Sequence, residues 1–197
     1  MDVDPNLPRC GWAAPGPTGR WDPVMARYHD EEWGVRVRDD VGLFERLALE
    51  SFQAGLSWST ILRRREAFRS AFRGFEPAVV ASFGTADVER LVADATIVRN
   101  RAKVEATIGN ANAVMAIGRA FGSFAAYLDQ RLPSPPARLP PDATAGDVPA
   151  RTAASDSLSA DLRARGCRFV GPTIVYAFMQ SVGLVDDHLP GCFRYRG

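Results

Sequence analysis

Apolar residues along this chain recur at helical spacing, and no stretch alternates apolar and polar residues cleanly enough to predict a strand of a half-buried sheet. The chain has 197 residues, of which 46% are hydrophobic and 24% charged, the composition of an ordinary globular domain. We therefore expect an all-α fold, organised as a single domain over residues 1–197 with two helical lobes.

Capping residues and prolines divide the helical pattern into segments. Asp39 and Asp40 predict the start of a first helix that runs to about Ala54, and Ser57 to Ser59 predict the start of a second that continues to Phe72. Further helices are expected from Pro77, from Thr85, over about 98–119, over 123–130, from a cap at Ser155, and from Pro172 to Gly183.

Two later segments lack this continuous pattern. Proline and small polar residues concentrate at about 132–153, which predicts a surface loop between lobes. The segment at about 155–183 has the form helix, Gly-Cys-Arg-Phe-Val-Gly, helix. Its glycines, Gly166 and Gly171, allow a tight hairpin whose backbone amides face outward beside Arg168, where a DNA phosphate can bind. A solvated helix face is the alternative for the neighbouring arginines, and for the basic groups at 63–73 and 99–103.

The net charge of +1 is too small for the protein as a whole to attract a polyanion such as DNA. The chain has 24 basic and 23 acidic residues, so any polyanion must be held by a local patch. The N-terminal residues lack the pattern of a secretion signal, and no run reaches the roughly 18 apolar residues of a membrane span. We expect a cytoplasmic, monomeric protein with no membrane contact.

Both histidines of the chain lie near a cysteine. Cys10 and His29 are in the first segment, and His188 and Cys192 are in the last. Two thiolates and two imidazoles make a complete tetrahedral zinc set, which would be structural because no coordination position stays open. The alternative is two solvated histidines and two buried thiols.

A carboxylate interrupts an apolar helix face. Leu43, Leu47, Glu50 and Ala54 follow one another at steps of four, three and four, so Glu50 shares the face that should be buried. It is either paired with an arginine or held in a pocket for a substrate. The aromatic residues nearest to these positions, which either pack in the core or stack on a flat, electron-poor base, are Trp12, Tyr28, Trp33 and Trp58.

Seven motifs, in order and at compatible spacing, resemble the bacterial DNA-3-methyladenine glycosylase I family. They are Arg9–Trp12, Tyr28–Gly34, Gln53–Trp58, Asn100–Lys103, Gly109–Ala111, Phe169–Gly171 and Phe178–His188. The resemblance implies a helix-hairpin-helix DNA glycosylase fold that acts on double-stranded DNA containing alkylated bases. It also implies a structural zinc ion on Cys10, His29, His188 and Cys192, and a base pocket formed by Glu50, Tyr28 and Trp58 with Trp12 nearby.

This chain departs from the family pattern at three positions near the expected pocket. Ser51 stands where glycine is usual, Phe52 where a polar residue is common, and Met25 where some members have an aromatic ring. The resemblance therefore does not fix which bases this chain accepts. We expect Asp186 and Asp187 to support the zinc site or cap a helix rather than to catalyse.

The resemblance implies excision of 3-methyladenine by hydrolysis. Leu56, at a helix end, is an apolar candidate to fill the gap that a flipped base leaves. Lys103 is the only lysine, so we expect no Schiff-base step and an intact abasic product. The alternatives are a non-catalytic, zinc-stapled DNA-binding module and a zinc hydrolase, which four protein ligands argue against.

Overall fold

The computed structural model describes residues 3–15 and 22–196. Within these ranges the chain forms ten α-helices and two strands of two residues each. The helices are α1 (Pro23–Glu31), α2 (Asp40–Gln53), α3 (Trp58–Arg63), α4 (Arg65–Ala71), α5 (Pro77–Ala81), α6 (Thr85–Ala93), α7 (Arg101–Phe121), α8 (Phe124–Asp129), α9 (Ala153–Ala164) and α10 (Pro172–Ser181); the strands are β1 (Ala137–Arg138) and β2 (Val185–Asp186). The fold is mainly helical, as the apolar spacing predicts.

Several helices begin where their capping residues predict. Asp39 accepts a hydrogen bond from the Gly42 amide at 2.7 Å and caps α2. Ser57 caps α3 and Ser123 caps α8 through the same contact to a backbone amide three residues later. Pro77 and Pro172 occupy the first position of α5 and α10, where a missing amide hydrogen costs nothing.

Other helix starts differ from the prediction. Thr152, rather than Ser155, caps α9, and Ser155 lies three residues later with its hydroxyl bonded back to the Thr152 amide. The carboxylate of Asp40 caps a different helix, α8, by accepting from the Phe124 amide at 2.9 Å. Asn100 caps α7, so that helix starts at Arg101 instead of Val98.

Two boundaries near the N-terminal half are also corrections. The long helix expected after Ser57 divides at Arg64 into α3 and α4. Helix α1 has no counterpart in the prediction, although Asp22 caps it and Pro23 begins it. Its position matters because it presents Tyr28 and His29 to the functional site.

The main hydrophobic core surrounds α2, which contacts α3, α7, α8 and α10. All ten residues from Leu43 to Phe52 are buried, so α2 is enclosed on every side. A second, smaller cluster joins the N-terminal arm (residues 3–15) to the C-terminal segment (residues 182–196, after α10). Its buried members are Cys10, Tyr28, Trp33, Leu62 and Cys192. No helix of the described ranges is long and apolar enough to cross a membrane.

The proline-rich segment at 132–153 is attached to the C-terminal segment. β1 pairs in parallel with β2, with Ala137 opposite Val185. The sequence analysis does not predict this pair, because two-residue strands are too short to show a pattern.

The turn after α9 confirms the role of one predicted glycine. Gly166 has φ +95°, and its amide donates to the Arg163 carbonyl at 2.9 Å. The Cys167 amide donates to the Leu162 carbonyl at 3.0 Å, which completes a Schellman end.

Candidate functional site

The four predicted metal ligands lie together and are all buried. Their ligand atoms fall within 4.8 Å of one another, although 178 positions separate Cys10 from His188. The Cys192 sulfur lies 3.4 Å from His29 Nε2 and 3.7 Å from His188 Nδ1. A hydrogen bond from the Cys10 thiol, followed by those from the histidines, lowers the pKa of Cys192, so this Cys/His cluster offers a thiolate to a cation. The residues can hold a metal ion.

Partners outside the cluster orient both imidazoles. His29 Nδ1 lies 2.9 Å from the Asp30 carboxylate, which Arg9 grips through two hydrogen bonds of 2.8 and 2.6 Å. His188 Nε2 lies 3.3 Å from the Trp33 carbonyl. Such contacts to the second ring nitrogen are typical of metal-binding histidines. The sequence analysis missed Asp30, although its place directly after His29 was a usable signal.

The two aspartates expected to support the metal site have other partners. Asp187 accepts hydrogen bonds from the Tyr176 hydroxyl at 2.6 Å and from the Gln180 amide at 2.7 Å. Asp186 Oδ1 accepts from the His188 backbone amide at 3.4 Å, and its other oxygen lies 3.8 Å from Arg138. Neither side chain contacts a histidine ring through a hydrogen bond.

A cavity of about 690 Å³ lies beside the Cys/His cluster. We call it the aromatic pocket because three tryptophans and a tyrosine line it. Its predicted members are Trp12, Tyr28, Glu50 and Trp58, and it also includes Met25, Trp33, Gln53, Gln180 and Asp187. The structure therefore brings the proposed base-binding residues together, and Cys10 of the Cys/His cluster forms part of the same wall.

Glu50 enters this pocket from α2 without an ionic partner. Its residue is 4% exposed, and its carboxylate makes no hydrogen bond or ion pair with the described residues. Arg46, one turn earlier, instead pairs with Glu32. Burial raises the pKa of Glu50 to about 8, against the lowering effect of the Arg46 charge. The arginine-pairing alternative is thus not what the structure shows.

The rings around Glu50 leave polar edges for a ligand. Tyr28 and Trp58 have ring centroids 5.2 Å apart at an interplanar angle of 50°. The Trp58 indole N–H is buried and has no hydrogen-bond partner in the described part of the chain. Burial and the nearby Glu50 raise the pKa of Tyr28, so its phenol stays protonated. Trp12, at 42% exposed, lies at the pocket's open side.

Of the three departures from the family pattern, only Met25 lines the aromatic pocket. Phe52 is fully buried in the main core, with its ring centroid 4.8 Å from that of Phe68. The Ser51 hydroxyl lies 2.8 Å from the Leu47 carbonyl oxygen and 3.0 Å from the Phe169 carbonyl oxygen of the hairpin, and its single hydrogen is shared between them. Any direct effect on substrate range therefore falls on Met25.

The predicted DNA contacts lie outside the pocket, on two turns. Leu56 is 41% exposed in the turn between α2 and α3, after Gly55 with φ +84°. The second turn is the hairpin, residues 166–171, which carries Gly166, Arg168 and Gly171. Side chains from three helices hold its carbonyls: Asn110 binds that of Arg168, Ser51 that of Phe169, and Ser159 that of Val170. The hairpin is thus rigid, and Ser51 joins it to the helix of Glu50.

Most arginines of the two further basic groups are engaged within the protein. Arg65 binds Glu32 and Arg69 binds Glu45, each through more than one hydrogen bond. Arg64 lies against carbonyls of residues 95–97, and Arg101 pairs with Glu89. Because these charges are partly neutralised, the solvated or paired alternative fits them better than a continuous DNA track.

Lys103 is outside the aromatic pocket. Its ammonium group donates to the carbonyls of Phe52 at 2.9 Å and Ala54 at 2.7 Å, at the C-terminal end of α2. This position stabilises carbonyls that the helix leaves unpaired. Burial lowers the pKa of Lys103.

The chain is similar to known glycosylases over almost its whole length. Residues 18–195 match the family model described as methyladenine glycosylase. DNA-3-methyladenine glycosylase 1 of Escherichia coli K12 is 44% identical, over 97% of this chain and 98% of that protein. A crystal structure of 3-methyladenine DNA glycosylase I has a TM-score of 0.88 and 42% identity, over 95% of this chain and all of that one. A structure of the Staphylococcus aureus enzyme, described as the basis of 3-methyladenine recognition, has a TM-score of 0.86 and 39% identity over 91% and 95% of the two chains. This chain belongs to the methyladenine glycosylase family.

Proposed function

We propose that this protein is a DNA-3-methyladenine glycosylase of base-excision repair that binds the flipped, damaged base in the aromatic pocket. The observation that carries the assignment is the buried Glu50 carboxyl group, which has rings around it and no ionic partner in the described chain. A buried carboxyl group without a partner costs stability, and binding a cationic base offsets that cost.

Excision of this base needs little acid catalysis from the protein. A base methylated at N3 is cationic while attached to the sugar and leaves as a neutral molecule, so its glycosidic bond is already weak. The enzyme must flip the nucleotide, select the lesion and hold it while water adds to the sugar. Tyr28 and Trp58 stack on the positive ring, and Glu50 accepts hydrogen bonds from its edge. Normal purines lack this positive charge.

The protonation state of Glu50 couples to base binding. With a pKa of about 8, the free carboxyl group is mainly protonated at neutral pH. A cationic base in the same pocket favours the carboxylate, so capture of the base releases a proton. Arg46 is the charged group that acts on Glu50, and the titratable groups Tyr28 and Asp187 line the same pocket.

Glu50→Gln should stabilise the free protein at alkaline pH. The folded state keeps a proton that the unfolded chain loses near pH 4.5, so the stability of the parent falls as pH rises from about 4.5 to about 8. Glutamine removes this loss. Thermal unfolding should show similar stability at pH 5 and a gain on the order of 2–4 kcal/mol for Glu50→Gln at pH 9. The exposed Glu105→Gln is the control; an equal pH effect in both variants would contradict the assignment.

Trp58→Ala should weaken capture of the methylated base by roughly 1–3 kcal/mol, the scale of base stacking on an aromatic ring. Titration of free 3-methyladenine into the folded variant measures this effect. Trp58→Phe keeps a stacking surface and should retain most of the affinity. Equal affinity of Trp58→Ala and the parent would place the base elsewhere.

We also propose that the two exposed turns, at Leu56 and at residues 166–171, contact the DNA. Leu56 fills the gap left by the flipped base, because it is apolar, exposed and two residues before the pocket residue Trp58. The hairpin acts as a helix-hairpin-helix element on double-stranded DNA. Gly166 gives the tight turn, and Gly171 precedes α10, whose first amides have no side-chain cap. Arg168 lies beside them, and an Arg163 nitrogen lies near Gly171.

We further propose that the Cys/His cluster binds one structural zinc ion. Two ligands of a tetrahedral zinc ion lie roughly 3.3–3.8 Å apart, given about 2.3 Å for sulfur and about 2.0 Å for nitrogen. The sulfur–nitrogen separations of 3.4, 3.7 and 3.8 Å fit that range. Four protein ligands leave no position for substrate, so the ion would fasten the N-terminal arm to the C-terminal segment and take no part in excision.

The alternative expected from the sequence, a non-catalytic DNA-binding module, has no support among the relatives, which are glycosylases. It would need no free carboxyl group in a base-sized pocket, and it would release no base. Measuring free 3-methyladenine released from methylated DNA separates the two, because only the glycosylase produces it.

A further inference from the structure

A second cavity, of about 640 Å³, lies on the other side of the C-terminal segment from the aromatic pocket. Asp186 lines the second cavity and Asp187 lines the aromatic pocket, because successive residues of an extended segment point to opposite faces. In the same way, Gly34 lines the second cavity and Trp33 lines the aromatic pocket. We call it the arginine cavity after the five arginines that line it, which are Arg36, Arg38, Arg138, Arg194 and Arg196.

The charges around the arginine cavity do not balance. Among the described residues, the carboxylates that line it are those of Asp129 and Asp186. Arg36 binds Asp129 at 2.7 Å, whereas Arg138 lies 3.8 Å from Asp186. Five guanidinium groups against two carboxylates leave an excess of three positive charges. An excess of this size in a concave site attracts an anion.

Several hydrogen-bond donors of the arginine cavity are available to a ligand. The Nε atom of Arg194 is buried and has no acceptor among the described residues. A buried donor without an acceptor costs stability, which a bound anion would offset. Arg196 makes no ion pair within the described ranges, and Arg38 is 75% exposed in its side chain and 4.0 Å from Asp129.

The walls of the arginine cavity are fixed by backbone contacts. The β1–β2 pair and a 3.2 Å hydrogen bond from the Tyr195 hydroxyl to the Leu139 carbonyl hold the proline-rich segment against the C-terminal segment. Val37 donates to the Val182 carbonyl at 3.1 Å. Gly183 has φ +67°, and a Cβ atom there would lie 2.6 Å from the backbone nitrogen of Arg36. Only glycine therefore allows the two backbone segments to approach this closely. The backbone segments that carry the arginines are therefore held in place before a ligand arrives.

We propose that the arginine cavity binds a small anion with two or three adjacent phosphate groups, of which inorganic diphosphate is the simplest. Guanidinium groups pair with phosphate oxygens through two parallel hydrogen bonds. The volume falls within the roughly 300–1,000 Å³ of small-molecule sites. A duplex presents its phosphates on a convex surface, whereas a small anion brings adjacent charges inside the cavity. The site is separate from the aromatic pocket and does not depend on the glycosylase reaction.

Calorimetric titration of inorganic diphosphate into the metal-loaded protein tests this site. The parent should bind one anion per chain at saturation, and Arg138→Gln/Arg196→Gln should bind at least tenfold more weakly. Arg194→Gln should also weaken binding. Arg119→Gln, an exposed arginine outside the cavity, should match the parent. The replaced side chains of the double variant are not buried, so folding should be unaffected. Equal affinity in all variants, or no saturable binding by the parent, would overturn the proposal.

A parallel titration of undamaged duplex DNA distinguishes the two sources of phosphate. The proposal expects the parent and Arg138→Gln/Arg196→Gln to bind the duplex equally, and diphosphate to leave the protein–duplex complex intact. Equal losses of duplex and diphosphate affinity, with displacement of duplex by diphosphate, would overturn the proposal and assign these arginines to the DNA backbone.

Discussion

Replacing Cys10 by serine is expected to remove the bound metal and to lower the free energy of unfolding by at least about 4 kcal/mol. In a structural zinc site the binding free energy is folding free energy, and about 4 kcal/mol corresponds to roughly 8–16 °C in a chain of this size. The effect should be large because Cys10 ties the N-terminal arm to His188 and Cys192 across the second hydrophobic cluster. Metal analysis and thermal unfolding of the same preparation measure both losses, and His188→Ala should reproduce them.

Cys167→Ser is the matched control for this prediction. Cys167 is buried like Cys10, and burial raises the pKa of Cys167 to about 12, which keeps its thiol neutral. It lies in the hairpin and outside the Cys/His cluster. The variant should keep one zinc ion per chain. A well-folded parent protein that contains no zinc would refute the metal assignment.

Glu50→Gln should reduce single-turnover excision of 3-methyladenine by on the order of 100-fold or more. Glutamine keeps the shape of the side chain but removes the charge that forms when a cationic base enters, so transition-state stabilisation is lost. Binding to undamaged duplex should change less than twofold, because the duplex contacts proposed above lie on the exposed turns at Leu56 and the hairpin and not at Glu50. Glu105→Gln should excise at the parent rate. Equal excision by Glu50→Gln and the parent would remove Glu50 from the mechanism.

Local signals predicted most of the helices, and their failures have local causes. The Asp22-Pro23 pair is a normal helix start that the prediction overlooked, so α1 was missed. Thr152 and Ser155 both carry hydroxyl groups three positions apart, and either fits the pattern of a cap. The carboxylate of Asp40 serves α8, 84 positions away, which no local pattern reveals.

The candidate site was predictable in its residues but not in its charges. The Cys/His spacing and the aromatic residues indicated side chains that the structure brings together. Whether Glu50 pairs with an arginine depended on the partner of Arg46, which is Glu32 on another segment. Arg65 and Arg69 likewise pair with residues distant in the sequence, Glu32 and Glu45, so local patterns do not reveal these ion pairs. Asp187 was expected to support the metal site or cap a helix, but it accepts hydrogen bonds from Tyr176 and Gln180, contacts that depend on the packing of α10.

Excision by hydrolysis yields a free base and an unbroken strand, so analysis of the products of one reaction distinguishes it from DNA binding alone and from strand cleavage. A methylated duplex is incubated with the protein, the free bases are identified, and the strand is examined before and after alkali. We expect free 3-methyladenine to accumulate with time while the strand breaks only after alkali, and borohydride to trap no covalent complex, because Lys103 is engaged at the end of α2. Tight duplex binding without release of 3-methyladenine would contradict the account, and a trapped complex that disappears in Lys103→Ala would contradict its hydrolytic mechanism.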